Sequence, residues 1–177
     1  GQFCAQFGAI LSPPLHPLDR LKGNIRVFCR VRPPATEEDE AVSCIEGAAE
    51  DTALEVAGPK GGSTRFQFDH VFSGAASQGD VYDEVTHLVQ SAMDGHNVCV
   101  FAYGQTGSGK TFTSSAIHTM AGAELLNLGC TVSFAALEVY NERAVDLLST
   151  SARNKLEHHL DGLTWHALDS ADAAQSL

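Results

Sequence analysis

Apolar and polar positions alternate between residues 25 and 33. Ile25, Val27, Cys29 and Val31 are set against mostly basic neighbours (Arg26, Arg30, Arg32), the period of a half-buried β-strand that Pro33 and Pro34 end. Arg65 to Phe68 repeats the alternation as a short strand leading into Asp69, His70, Val71 and Phe72. Between them lie weak strand patterns, bracketed by an acidic run (Glu37, Glu38, Asp39, Glu40) and by 58–62 with Gly58, Gly61 and Gly62, both of which read as exposed connections. Residues 77–95 predict an amphipathic helix. Ser77 and Asp80 form a capping pair, Val81, Val85, Leu88, Val89 and Ala92 share one face, and Gly95 stops it. The unbroken apolar run 98–103 predicts a central strand buried on both faces, with another helix beginning near Lys110. Further on, 131–140 predicts a strand, 142–148 a short helix, and 156–168 two weak strands around an Asp161-Gly162 turn; Ser170 could cap one more helix. Residues 1–20 contain Pro13, Pro14 and Pro17 and no sustained helical period, which predicts a loose N-terminal arm.

The segment between the apolar run and the Lys110 helix carries the most specific chemistry. Gly104, Gln105, Thr106, Gly107, Ser108, Gly109, Lys110 and Thr111 satisfy the G-x-x-x-x-G-K-[ST] pattern of a phosphate-binding loop at every fixed position. A strand, a glycine turn and a helix in succession aim consecutive backbone N–H groups and the positive end of the helix dipole at one point, where a β-phosphate would sit. The glycines permit backbone conformations that a Cβ would block. Lys110 is the catalytic candidate, a point charge toward the terminal phosphates, and the Thr111 hydroxyl is suited to Mg²⁺. The competing reading is a Gly/Ser-rich turn with an exposed lysine, and the buried strand before it and the helix after it argue against that. A loop of this kind binds nucleotide without specifying hydrolysis. The nearest second acid is Glu138, at the end of an apolar run, and a locally paired strand-edge acid is the simpler account of it.

Composition narrows the partners. With 11 Lys+Arg against 22 Asp+Glu the formal charge is −11, which disfavours nucleic acid and other acidic surfaces. The length of 177 residues suits a single domain. The five cysteines are odd in number, widely spaced and without a C-x-x-C pair, as expected of reduced intracellular thiols. No run is apolar enough for a membrane helix and no signal peptide is visible, so a cytosolic or nuclear chain with no membrane partner is expected. His158 and His159 are adjacent and would point to opposite faces of a strand, so they are not expected to share a metal. Ser114 and Ser115 lack a His-Asp partner arrangement, and Trp165 and the phenylalanines read most simply as core.

Four ordered blocks resemble the kinesin motor domain: residues 21–33, Phe68 to Phe72 with Gln78, Val81 and Tyr82, the phosphate loop with its flanks from Phe101 to Thr111, and Leu137 to Glu142 with Asp146, Leu147 and Leu148. The first block is most similar to the C-terminal-motor branch. The resemblance covers residues 21 to about 177 and implies a truncated, kinesin-motor-like α/β P-loop NTPase fold, with a central mostly parallel sheet flanked by helices. It implies ATP and Mg²⁺ as cofactors, microtubules as the track, microtubule-stimulated ATP hydrolysis as the parent activity, and a place in the cytoplasm and cytoskeleton. It also places Arg30 and Pro33 at adenine-contacting positions and Phe112 where a ring packs against the base. The family's switch I and switch II, and its basic microtubule-binding elements, are expected beyond Leu177, so whether this chain alone is an enzyme stays open. Between Thr113 and Leu137 the chain is shorter than the family pattern, and Thr119, Met120, Ala121 and Gly122 resemble a displaced copy of the motif that normally follows the loop. The prolines before Leu21 stand where that branch would carry a coiled-coil neck. A cut sheet exposes strand edges, which predicts marginal stability or association, a homodimer included. The alternatives are a non-motor kinesin-like binding module without ATPase activity, and an unrelated P-loop kinase or ATPase.

Overall fold

The computed structural model describes residues 5–11, 25–33, 42–44, 51–57, 62–150, 155–156 and 162–170. The single domain expected from length resolves into two compact units, Gly1–Ile117 and His118–Leu177. Along the first run β1 (Ala5–Leu11), β2 (Ile25–Val31), β3 (Val42–Cys44), β4 (Ala53–Ala57), β5 (Ser63–Gln67), β6 (His70–Phe72), α1 (Gln78–Asp83), α2 (His87–Met93) and β7 (Cys99–Tyr103); α3 (Lys110–Asn127) contains the boundary.

The main sheet of the first unit has the order β6-β2-β1-β7. β2 and β6 are parallel, whereas β1 runs antiparallel to both β2 and β7, so β6, β2 and β7 share one direction and β1 alone opposes it. The loose arm expected at 1–20 is corrected for Ala5–Leu11, which form an internal strand paired on both edges. Prolines 13, 14 and 17 lie after this strand, and the missing helical period excludes a helix without excluding seven extended residues. Residues 12–20 fall outside the described ones.

Successive side chains of a strand point to opposite faces, so burial of both Phe28 and Cys29 shows that β2 is covered on both sides. On one face Cys29 packs with Leu54 and Val71, joined by Val31, Val56 and Phe68, which brings the antiparallel β3-β4-β5 sheet onto the main one. On the other face the Phe28 and Phe72 rings meet edge to face at 6.1 Å. The segment expected to be one helix over 77–95 is two, α1 and α2, separated by a turn at residues 84–86. Val81, Val85, Leu88 and Val89 are buried as the periodicity predicts, while the turn changes the register and leaves Ala92 exposed and Ser91 buried. The capping pair is present in full. Ser77 Oγ accepts from the Asp80 amide at 3.2 Å and the Asp80 carboxylate accepts from the Ser77 amide at 2.7 Å. Gly95, at φ +88°, ends α2: its amide and that of His96 reach back to the carbonyls of Ala92 and Ser91, as left-handed C-terminal caps do.

β7 corrects another expectation. All five residues are exposed, Phe101 at 54% and Tyr103 at 73%: among the described residues the strand pairs with β1 alone, at the sheet's edge, and nothing covers its two faces.

The second unit contains β8 (Val132–Phe134), β9 (Leu137–Tyr140), β10 (Arg143–Asp146), β11 (Lys155–Leu156) and β12 (His166–Leu168), in two antiparallel sheets of order β11-β10-β9 and β12-β8. The predicted strand 131–140 breaks at Ala135 and Ala136 into β8 and β9. The helix expected over 142–148 is instead β10, closing a hairpin in which Arg143 faces Tyr140. Asn141 (φ 49°) and Glu142 (φ 61°) both adopt positive φ, the two-residue geometry that matches strand twist and that no helix start allows. The two weak strands expected around Gly162 exist as β11 and β12 but pair with β10 and β8 rather than with each other. Buried Asp146 accepts from the amides of Leu148 (2.9 Å) and Thr164 (2.8 Å). The Thr164 side chain, with backbone donors from Thr164, Leu148 and Ser149, holds this carboxyl below its ordinary range against the opposing effect of burial. Trp165, read as core, is 65% exposed. The helix that Ser170 could cap lies outside the described residues.

Candidate nucleotide site

The glycine loop joins β7 to α3, whose first residue is Lys110. Gly107 (φ +82°) and Gly109 (φ +100°) occupy the left-handed region, where a side chain would strain the backbone. No atom lies within 4 Å of where a Cβ would stand at either, so backbone conformation sets the requirement. The turn is closed by the Ser108 amide donating to the Gln105 carbonyl (3.1 Å), and the helix opens with Thr113 N–H to Gly109 C=O (3.2 Å). Lys110 Nζ donates to the carbonyls of Gly104 (2.8 Å) and Gln105 (2.9 Å), and an ammonium keeps a further donor for an anion. Ser108 is 3% exposed and its hydroxyl has no hydrogen-bond partner. A glycine-rich turn, a helix N-terminus, a fixed ammonium and an orphaned hydroxyl together fit a phosphate chain.

The facing wall comes from the end of β2 and the chain before α1. Arg30 shares the Phe28 face of β2, by strand alternation. Its Nη1 donates to Gln78 Oε1 (2.6 Å) and Thr113 Oγ1 (3.0 Å), its Nη2 donates to the Ala76 carbonyl (3.1 Å), and its Cζ lies 5.1 Å from the Phe112 ring centroid. Burial lowers the Arg30 pKa, partly countered by the Asp80 carboxylate. Gln78 Nε2 in turn donates to the Phe112 carbonyl at 2.7 Å. Arg32 Nη1 donates to the Gly107 carbonyl and ties the loop to the residues that follow β2. A Cβ at Gly74 would stand 3.2 Å from Pro33 Cα, a tight contact that a side chain could make only if the proline gave way by a few tenths of an ångström.

Between these walls is a cleft of about 730 Å³. Of the residues singled out by sequence, Arg30, Pro33 and Thr106 through Phe112 line it together. Gly104 and Gln105 do not line it; their carbonyls hold Lys110. Sequence reasoning missed Arg32, Gly74, Ser77, Gln78 and Thr113 as lining residues, although the Ser77 cap, which fixes where α1 begins, was a usable signal for the 77–78 corner.

The remaining candidates lie elsewhere. Glu138 is exposed on β9, opposite Val145. Ser114 Oγ donates back to the Lys110 carbonyl at 3.0 Å, a helix contact. His158 and His159 fall outside the described residues. Among the described residues no group of three or more His, Cys, Asp or Glu side chains is placed to hold a metal, and no helix is long and apolar enough to cross a membrane.

A profile of the family described as microtubule binding matches residues 17–148. The Drosophila melanogaster protein claret segregational is 41% identical over 155 residues, covering 76% of this chain and 22% of that protein. The motor domain of the Kar3-like kinesin from Ashbya gossypii superposes with a TM-score of 0.59 at 26% identity, covering 85% of this chain and 56% of that one. The C-terminal motor and motor homology domain of Kar3Vik1, fused to a synthetic heterodimeric coiled coil, gives 0.67 at 28% identity, with coverages of 90% and 50%. The chain thus spans about a fifth of the curated relative and about half of the solved motor chains. With the profile, the relatives and the P-loop NTPase fold in agreement, this chain belongs to the microtubule-binding family of kinesin-like motor domains.

Proposed function

We propose that the cleft binds ATP with Mg²⁺ and that the chain is the nucleotide-holding part of a microtubule motor at work on the cytoskeleton, in the cytoplasm. The observation that carries this reading is the convergence of a complete phosphate-loop motif and a planar Arg30, Pro33 and Phe112 wall on one cleft of about 730 Å³. The amides of Gly107, Gly109, Lys110 and Thr111 and the free donor of Lys110 would hold the β- and γ-phosphates, and Lys110 would also offset charge on the transferred group. The Thr111 hydroxyl would supply a protein ligand to Mg²⁺, which suits a hard cation that keeps its waters and leans on phosphate oxygens. Arg30, Pro33 and Phe112 would take the base. Bound ATP supplies the phosphoanhydride whose cleavage drives movement; microtubule-stimulated turnover, and dimerisation, are proposed for the motor as a whole.

Titration of the 177-residue chain with fluorescent ATP and Mg²⁺ tests the reading. Saturable binding is expected, weakened by roughly 10- to 100-fold in Lys110→Ala through loss of charge-assisted contacts. No binding by the wild type, or equal binding by the variant, would refute it.

A further inference from the structure

We infer that Gln78 is a positioning residue that presets the base-recognition wall and locks it to the phosphate-loop helix, an inference that rests on the nucleotide reading above. Arg30, Gln78 and Phe112 come from three distant segments, the ends of β2, α1 and α3 that meet at the cleft. The Gln78 carboxamide bonds to both others: its oxygen accepts from Arg30 Nη1 at 2.6 Å and its nitrogen donates to the Phe112 carbonyl at 2.7 Å. Both ends of the amide are therefore committed, and the side chain has one orientation that serves both partners.

This arrangement decides what Arg30 can do. A guanidinium with free donors beside a phosphate site would turn toward the anion. Here Nη1 is spent on Gln78 and Thr113 and one Nη2 donor on Ala76, with Cζ 5.1 Å from the centroid of the Phe112 ring. Arg30 is thus held as a planar stacking surface, which suits a heteroaromatic base rather than a phosphate. Gln78 is also the first residue of α1, where the Ser77–Asp80 capping box fixes its backbone, so the amide is aimed by a rigid element. Phe112 follows Thr111 directly, so Gln78 fixes the base wall relative to a helix turn that the loop's own hydrogen bonds hold in place.

The test compares ATP with inorganic tripolyphosphate, which offers the same phosphates and no base. In Gln78→Met, similar in length but without the amide, ATP affinity is expected to fall by about tenfold and tripolyphosphate affinity to stay within about twofold, because only the base wall is released. Gln78→Glu keeps the acceptor for Arg30 and should recover part of the ATP affinity. Unchanged ATP binding in Gln78→Met, or equal loss of both ligands in both variants, overturns the inference and leaves Gln78 a structural residue. If the wild-type chain binds tripolyphosphate but prefers ATP no more than the phosphates alone, the base wall is wrong and the phosphate site stands. If it binds neither, the nucleotide reading itself falls, and the inference with it.

Discussion

The two walls of the cleft rest on opposite kinds of support. The base wall hangs from β2, buried on both faces at Phe28 and Cys29, and from α1, whose start is fully capped. The phosphate wall hangs from β7, exposed along its whole length and, among the described residues, bonded to the sheet through β1 alone. Both strands carry contiguous apolar residues, Val27 to Cys29 in β2 and all five in β7. What separates them is cover: β2 has the β3-β4-β5 sheet on one side and aromatic packing on the other, whereas β7 stands at the edge of the described sheet with Val100, Phe101 and Tyr103 exposed. Apolar composition therefore marks a strand that wants cover, and topology decides whether it receives it. The contrast suggests a stiff, preformed base wall facing a phosphate loop whose own strand contributes little to stability.

The largest expected effect tests the stiff side. Leu54 is fully buried against Cys29 and Val71, so Leu54→Ala should cost about 3 kcal/mol in chemical unfolding of the chain. Its counterpart on the soft side, Phe101→Thr, removes an exposed ring and keeps a good strand former, and should change stability by no more than about 0.5 kcal/mol. Equal costs at the two positions would erase the distinction between the walls. A large loss at Phe101 alone would mean that β7 is covered in solution, by association of chains for instance, and sedimentation of wild type and variant at several concentrations would show it.

Where sequence and structure agree, a local chemical rule was enough. The Ser77–Asp80 box needs only two residues three apart, Gly95 needs only its positive φ, and the phosphate loop is specified by glycines whose backbone no other residue adopts readily. Readings that depended on what lies opposite fared worse. The β7 run looked central because nothing in five apolar residues records a missing neighbour. Residues 142–148 looked helical because Asn141 and Glu142 do not advertise the paired positive φ values that make a hairpin. Ala5–Leu11 were hidden by the prolines that follow them. At the site, Arg30 and Pro33 stood out through resemblance, whereas Gln78 and Gly74 become visible only when Phe112 and Pro33 are seen beside them.

The smallest expected effect concerns the cap that aims Gln78. Ser77→Ala removes the hydroxyl that accepts from the Asp80 amide and donates to its carboxylate at 2.8 Å, and should cost about 1 kcal/mol. The same contact has a pH signature. Hydrogen bonds from the Ser77 hydroxyl and then its amide, aided by the Arg30 charge and opposed by slight desolvation, hold Asp80 below its usual pKa of 3.8. A carboxyl depressed in the folded state contributes stability at pH values above its unfolded pKa and loses it as the pH falls through the lower folded value. The stability of wild type relative to Asp80→Asn should therefore hold from neutrality down to about pH 5 and decline as the pH falls further. Adding Ser77→Ala removes the main cause of the depression and should flatten that dependence. If the wild-type minus Asp80→Asn difference is constant across the range, Asp80 is not held by its cap, and the stiffness attributed to the base wall must come from the β2 core alone.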